Sequence, residues 1–170
     1  ITKKTNSSKW KANITANLFA NEMKIDFINF YKSKNNRGSI SGILHFDKLD
    51  LLKIEKLDFL TEELLIKANL NFDKDNKLKN ININRFIKEK NNFNANINFL
   101  NKNISQIIVG GESIDFKDLL NLESKRKQNF RFTLNINNFF YDNVYFGKTF
   151  IESNVENNEL INFKGNISNK

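Results

Sequence analysis

Asn92 to Leu100 reads NFNANINFL, and its alternation decides the fold class. Phe93, Ala95, Ile97 and Phe99 fall on one side of an extended chain and Asn94, Asn96 and Asn98 on the other. That period of two belongs to a strand and not to a helix. Asparagine is a poor strand former, so its place at every second position marks a face that meets water. The stretch is a strand with one greasy side and one wet side.

The same pattern recurs on both flanks. Toward the N-terminus, Trp10 to Ala20 alternates with Trp10, Ala12, Ile14, Ala16 and Leu18 against Lys11, Asn13, Thr15 and Asn17. Met23 to Tyr31 continues as a strand that slips phase near Ile28, as a bulge makes it do. Ser39 to Asp47 puts Ile40, Gly42, Leu44 and Phe46 on one face with His45 on the other, and Lys48 to Leu65 fits either a short helix or strands with turns. Leu64 to Phe72 and Leu78 to Phe86 read as a hairpin around Asp73-Lys74-Asp75-Asn76. Toward the C-terminus, strands are expected at Asn129 to Asn137 (Phe130, Phe132, Leu134, Ile136), Asn143 to Ser153 and Glu159 to Ser168 (Leu160, Phe163, Ile167).

One stretch breaks the monotony. In NISQIIVGGESIDFKDLLNL, Asn103 to Leu122, Ile104 to Val109 reads as a buried strand that Gly110-Gly111 interrupts. Ser113 to Leu122 has the spacing of one short helix, with Asp115 at the N-cap, Asp118 three residues on and Ile114 stapled to Leu119. The expectation is a mainly β chain of nine or ten long strands with one short helix near 113–122.

Composition narrows the chemistry. The chain has 170 residues, no proline, no cysteine, one histidine and a mean hydropathy of −0.53, enough for one domain with much of its surface in water. Without cysteine there is no disulfide framework, thiolate metal site or cysteine nucleophile. The formal charge of +8 comes mostly from lysine, alongside abundant Asn, Ile and Phe, a set that A/T-rich codons enforce; it does not by itself call for nucleic acid. Nucleic-acid modules interleave aromatics with Lys or Arg on one exposed face, whereas these phenylalanines share a face with Ile and Leu. No nucleophile motif, metal cluster or phosphate loop is present, so neither catalysis nor a cofactor nor a metal is expected. No apolar run approaches the ~20 residues of a membrane span, and a chain opening on Ile1 reads as a piece of a longer protein.

The decisive question is what covers the apolar side. Strands greasy on one face only belong to an antiparallel sheet packed on one face. With so little helix, the sheet closes into a sandwich or barrel, buries itself in a partner, or holds something apolar in a trough. Seventeen phenylalanines against three tyrosines favour a dry interior, since phenylalanine needs no hydrogen-bond partner.

Three segments bear on that choice: LIKANLNFDKDNKLKNININRF at Leu65 to Phe86, FNANINFLNKNISQIIVGGESIDFKDLL at Phe93 to Leu120, and FRFTLNINNFFYDNVYFGKTFIESNVENNELINFKGNIS at Phe130 to Ser168. The last carries a glycine before a strand, Gly147, and closes on Phe163-Lys164-Gly165-Asn166-Ile167. Together they resemble the AsmA-like superfamily of Gram-negative envelope proteins, of the YhdP/TamB type. The resemblance implies a long, strongly twisted antiparallel sheet curved into an open hydrophobic groove, residues 1–170 forming one internal or C-terminal segment with sub-units near 1–47, 48–122 and 123–170. It also implies a periplasmic protein, anchored in the inner membrane through a segment outside this sequence, that carries phospholipid toward the outer membrane and maintains the envelope barrier. Its partners would be acyl chains, the remainder of the same chain and other envelope proteins, and not nucleic acid. The groove candidates are Phe93, Ala95, Ile97, Phe99, Phe130, Phe132, Leu134, Ile136, Phe163 and Ile167. The other reading is a β-sandwich surface or adhesion domain with a closed core.

Overall fold

The computed structural model describes residues 8–99, 104–117, 129–157 and 159–168. The strands are β1 (Lys9–Asn17), β2 (Met23–Ile25), β3 (Phe30–Lys32), β4 (Gly38–Asp47), β5 (Asp50–Thr61), β6 (Leu65–Phe72), β7 (Leu78–Lys88), β8 (Asn91–Phe99), β9 (Ile104–Asp115), β10 (Asn129–Tyr141), β11 (Val144–Glu156) and β12 (Glu159–Ser168). Ten of them form one sheet in the order β1, β4, β5, β6, β7, β8, β9, β10, β11, β12, and β2 pairs only with β3. Neighbours run antiparallel except β9 and β10, which are parallel. Since β1 and β12 do not meet, the sheet is not a barrel, and its ten strands form one layer of pairing rather than two sheets.

Local chemistry sets the turns. Asp142 and Asn143 both take positive φ, 51° and 65°, as a two-residue hairpin requires, and join β10 to β11. Between β6 and β7 the Asp73 carboxylate accepts the N–H groups of Asp75 and Lys77 while Asn76 supplies the left-handed residue. Register shifts interrupt most of the pairings, including those at Ile54/Leu57, Ile83/Phe86 and Asn92/Phe93. Bulges of this kind bend strands and sharpen the twist, which gives a sheet this long its curvature.

Three local expectations are corrected. The first concerns the helix: Ser113, Ile114 and Asp115 are strand, and Asp118–Leu122 lies outside the described residues. β9 has a hydrogen-bonded neighbour on each edge, so tertiary pairing overrides the helical spacing. Ile114 is fully buried in the core, and Asp115 is no helix cap. Its carboxylate accepts the N–H groups of Lys117 and Asn143, and its own N–H donates to Asn91 Oδ1. The second concerns Gly110-Gly111, which does not break β9. The strand runs through, and Gly111 carries the bulge opposite Asn92/Phe93 at φ +150°, where a Cβ would lie 2.7 Å from Phe93 Cα. The third is the phase slip near Ile28: it is a 3-10 turn at Asp26–Ile28 ended by left-handed Asn29, not a bulge in one strand. The mixed Lys48 to Leu65 segment resolves into a turn followed by β5.

The chain between β1 and β4 forms a flap containing β2, the 3-10 turn and β3. Its Ile28 and Phe30 are buried, and the Phe30 ring stands edge-on to Phe59 at 6.0 Å. Lys32 is buried as well, with Nζ donating at 3.0 Å to the carbonyls of Asn21 and Ser33; a Cβ on Gly38 would lie 2.9 Å from its Cε. The core runs from the flap across the sheet to Leu134, Ile136 and Phe139 on β10.

Candidate functional site: an apolar face in rows

Cross-strand partners share a face, so the pairing registers can be read as rows running across the sheet. The first row is Ala16, Ile40, Phe59, Ile66, Phe86, Phe93, Gly111, Ile136, Thr149 and Ile167. The second contains Ile14 and Gly42, then Leu57, Ala68, Ile83, Ala95, Val109, Leu134, Ile151 and Gly165. The third is Ala12, Leu44, Ile54, Leu70, Ile81, Ile97, Ile107, Phe132, Ser153 and Phe163, each paired with the next without a gap. A fourth is partial: Trp10 faces Phe46, and Phe130 faces Val155. Bulges keep these rows in phase, for each falls where the strand would otherwise turn its apolar residues outward.

Burial divides the rows. Phe59, Phe86, Phe93, Ile136 and Thr149 of the first row are buried, as are Ala68, Ala95, Val109 and Leu134 of the second. In the third row no residue is buried: Phe163 is exposed and the other nine are half-buried. Flap residues cover the first row at one side, where Phe30 meets Phe59. At the other side Phe139 is buried and Phe116 folds back, its ring 6.0 Å from both Phe132 and Phe139. Phe86 and Phe93 stack at 4.6 Å within the first row. Among the described residues, no second sheet or helix lies over the third row.

The ten groove candidates all fall on this one face, but not in one environment. Phe93 and Ile136 belong to the first row and Ala95 and Leu134 to the second, so these four are core. Ile97, Phe132 and Phe163 belong to the third row, and Phe99 and Phe130 lie beyond it toward the open side. Ile167 ends the first row on β12, with 53% of its surface exposed. β8 and β10 do not pair; β9 lies between them and supplies Ile107 and Val109. Ile54, Leu70 and Ile81 also complete the third row without having been singled out in the sequence. Their alternation was visible there, but pairing register is a long-range property.

The opposite face is polar and partly organised. Asn71 donates to Asn80, Asn80 donates to Asn96 at 3.1 Å and Asn98 at 2.6 Å, and Asn98 donates to Gln106. Asn96 and Asn98 therefore belong to a side-chain ladder, whereas Asn94 is exposed. His45 is also on this face, 2.8 Å from Glu55 Oε2, with Lys53 Nζ 3.5 Å from Oε1. The His45 hydrogen bond, then the Lys53 charge, holds the Glu55 carboxyl below the usual glutamate range. This is a cross-strand hydrogen bond beside a lysine on a solvated surface. It has neither a nucleophile nor an enclosing pocket.

Two clefts open on the sheet, one of about 750 Å³ near Phe19, Arg37, Leu60 and Glu62 and one of about 520 Å³ at the β10–β12 end, lined by Phe132, Ser153 and Phe163 of the third row with Arg131, Glu152 and Lys164. Both linings mix apolar with charged side chains. Among the described residues no group of His, Cys, Asp or Glu is placed to hold a metal, and no helix is long and apolar enough to cross a membrane. In comparisons with known proteins, the chain matches no family model, no curated protein and no solved structure.

Proposed function

We propose that the chain is a segment of a lipid-carrying groove, in which phospholipid acyl chains lie against the inner face while their headgroups stay in water. The observation that carries this reading is the third row, apolar from Ala12 to Phe132 and again at Phe163, in which no residue is buried and over which, among the described residues, no second sheet or helix lies. An acyl chain gains roughly 0.8 kcal/mol for each CH₂ it buries. A row of uniform apolar character favours no single position strongly, so the lipid can slide.

The far edge of the sheet supports a longer groove. Every described residue of β12 is exposed, including Phe163 at 61%, yet Phe163, Gly165 and Ile167 continue the third, second and first rows to that edge. An exposed, partly apolar edge strand suits pairing with further strands of the same protein. Taken with the resemblance to AsmA-like proteins, the role is non-enzymatic, needs no cofactor and belongs to the periplasm. The protein would be anchored in the inner membrane by a segment beyond this sequence, work with other envelope proteins and serve outer-membrane biogenesis.

The test is lipid recovery. Protein purified from a Gram-negative envelope and extracted with organic solvent should yield phospholipid by mass spectrometry. Ile97→Asp should yield less while keeping its far-UV circular dichroism. Folded protein free of lipid would refute the reading.

A further inference from the structure

We infer that the acyl path is confined to the third row and that the buried side chains of the first two rows, among them Ala68, Val109 and Leu134, are the protein's own core. This rests on the lipid-groove reading and narrows it to particular side chains. A hydrocarbon gains free energy only from apolar surface still in contact with water. Leu134 and Ile136 have none left, and Phe59, Ala95 and Val109 have almost none. Ile54, Leu70, Ile81, Ile97 and Ile107 all keep part of theirs.

Dimensions and chemistry name the occupant. Rows two residues apart lie about 6.8 Å from one another along the strands, a width for an extended chain rather than for a helix about 10 Å across. Ten strands at about 4.8 Å spacing make the row about 43 Å long, against roughly 15 Å for one leaflet of a bilayer's hydrocarbon core. No end-stop therefore fixes a single chain. Only Ser153 in the row can form a side-chain hydrogen bond, and the backbone groups of interior strands are committed to their ladders. A peptide or sugar would lose its hydrogen bonds to water and find none here, whereas a linear hydrocarbon has none to lose. At Phe132 the row is partly covered, because the Phe116 ring packs against the Phe132 ring with centroids 6.0 Å apart. A chain moving from Ile107 toward Phe163 passes this pair.

The test places a benzophenone amino acid, one position at a time, at Ile54, Ile81 and Ile107 in the third row and at Ala68, Val109 and Leu134 in the second. The purified full chain is irradiated with phosphatidylethanolamine vesicles, and adducts are identified by mass spectrometry on samples whose circular dichroism matches the parent. Lipid adducts at the three third-row positions, with second-row signals at the no-lipid background, are expected. Adducts at Ala68, Val109 or Leu134 equal to or above those at Ile81 would overturn the confinement while leaving the lipid reading intact. Absence of adducts at all six positions in folded protein would overturn both. Crosslinks to a second copy of the chain in place of lipid would show the row to be a self-association surface and would also overturn the inference.

Discussion

Leu134→Asp and Ile97→Asp place the same charge on the same face two strands apart, and the rows predict opposite consequences. Leu134 has zero exposure in the second row, between Val109 and Ile151. Its replacement forfeits about 2 kcal/mol of apolar burial and leaves an unpaired carboxyl in the core at a further cost of several kcal/mol. The sum, about 5 kcal/mol or more, rivals the whole 5 to 15 kcal/mol margin of a typical domain. Ile97 is half-buried in the third row, where a carboxylate can stay hydrated. There the cost is about 2 kcal/mol, from lost contact and the poor strand propensity of aspartate. Urea unfolding followed by far-UV circular dichroism measures both. The Leu134 variant should be unfolded or have its midpoint collapse, while the Ile97 variant keeps a cooperative transition at a modestly lower midpoint. Equal losses would mean that the two rows do not differ in cover, and the division of the face would fail.

Other consequences are local. Gly111→Ala should cost roughly 2 kcal/mol or more in thermal unfolding, because φ is +150° and a Cβ would lie 2.7 Å from Phe93 Cα; Gly110→Ala, with its nearest neighbour at 3.6 Å, should stay within about 1 kcal/mol. On the wet face, Asn80→Ala should lose about 1 kcal/mol by breaking the amide ladder, while Asn94→Thr should be neutral or slightly stabilising; chemical denaturation separates them. Glu55 has a native pKa below its ordinary 4.5, so the unfolded chain takes up that proton first as pH falls. Its stabilising effect is complete above about pH 4.5 and fades as pH drops through the depressed native value, so the stability gap between the parent and Glu55→Gln should shrink on acidification.

Period-two alternation was legible wherever a strand's two faces differ sharply. β4, β8, β10 and β12 stand within a few residues of where Ile40, Phe93, Phe130 and Phe163 put them. What failed was local inference at positions decided by distant partners. Ser113 to Asp115 has helical spacing, but hydrogen bonding to β8 and β10 on both edges makes it strand. The parallel pairing of β9 and β10 leaves no mark in local alternation either. The asparagines of β8 read as a uniformly wet face, yet Asn96 and Asn98 have cross-strand partners on β7 that only register supplies. For the groove the lesson is the same. Phe93, Ala95, Ile97 and Phe99 were visibly one face, but nothing in their spacing distinguishes the covered end from the open one. That distinction comes from the flap, which folds over the first row at Phe59, while Phe116 packs on Phe139 and on Phe132 of the third row at the other side.

The central claim is that the third row is open to solvent and to hydrocarbon. Because the chain contains no cysteine, it can be tested with single thiols in an otherwise unreactive protein. Ile107→Cys and Val109→Cys, neighbours on β9 in the third and second rows, are alkylated with a maleimide under native conditions, with and without phosphatidylethanolamine vesicles. Ile107→Cys should react promptly without lipid and slow when vesicles are added, while Val109→Cys reacts slowly in both. Equally slow alkylation at the two positions, or a rate at Ile107→Cys indifferent to lipid, would contradict an open, lipid-bearing groove.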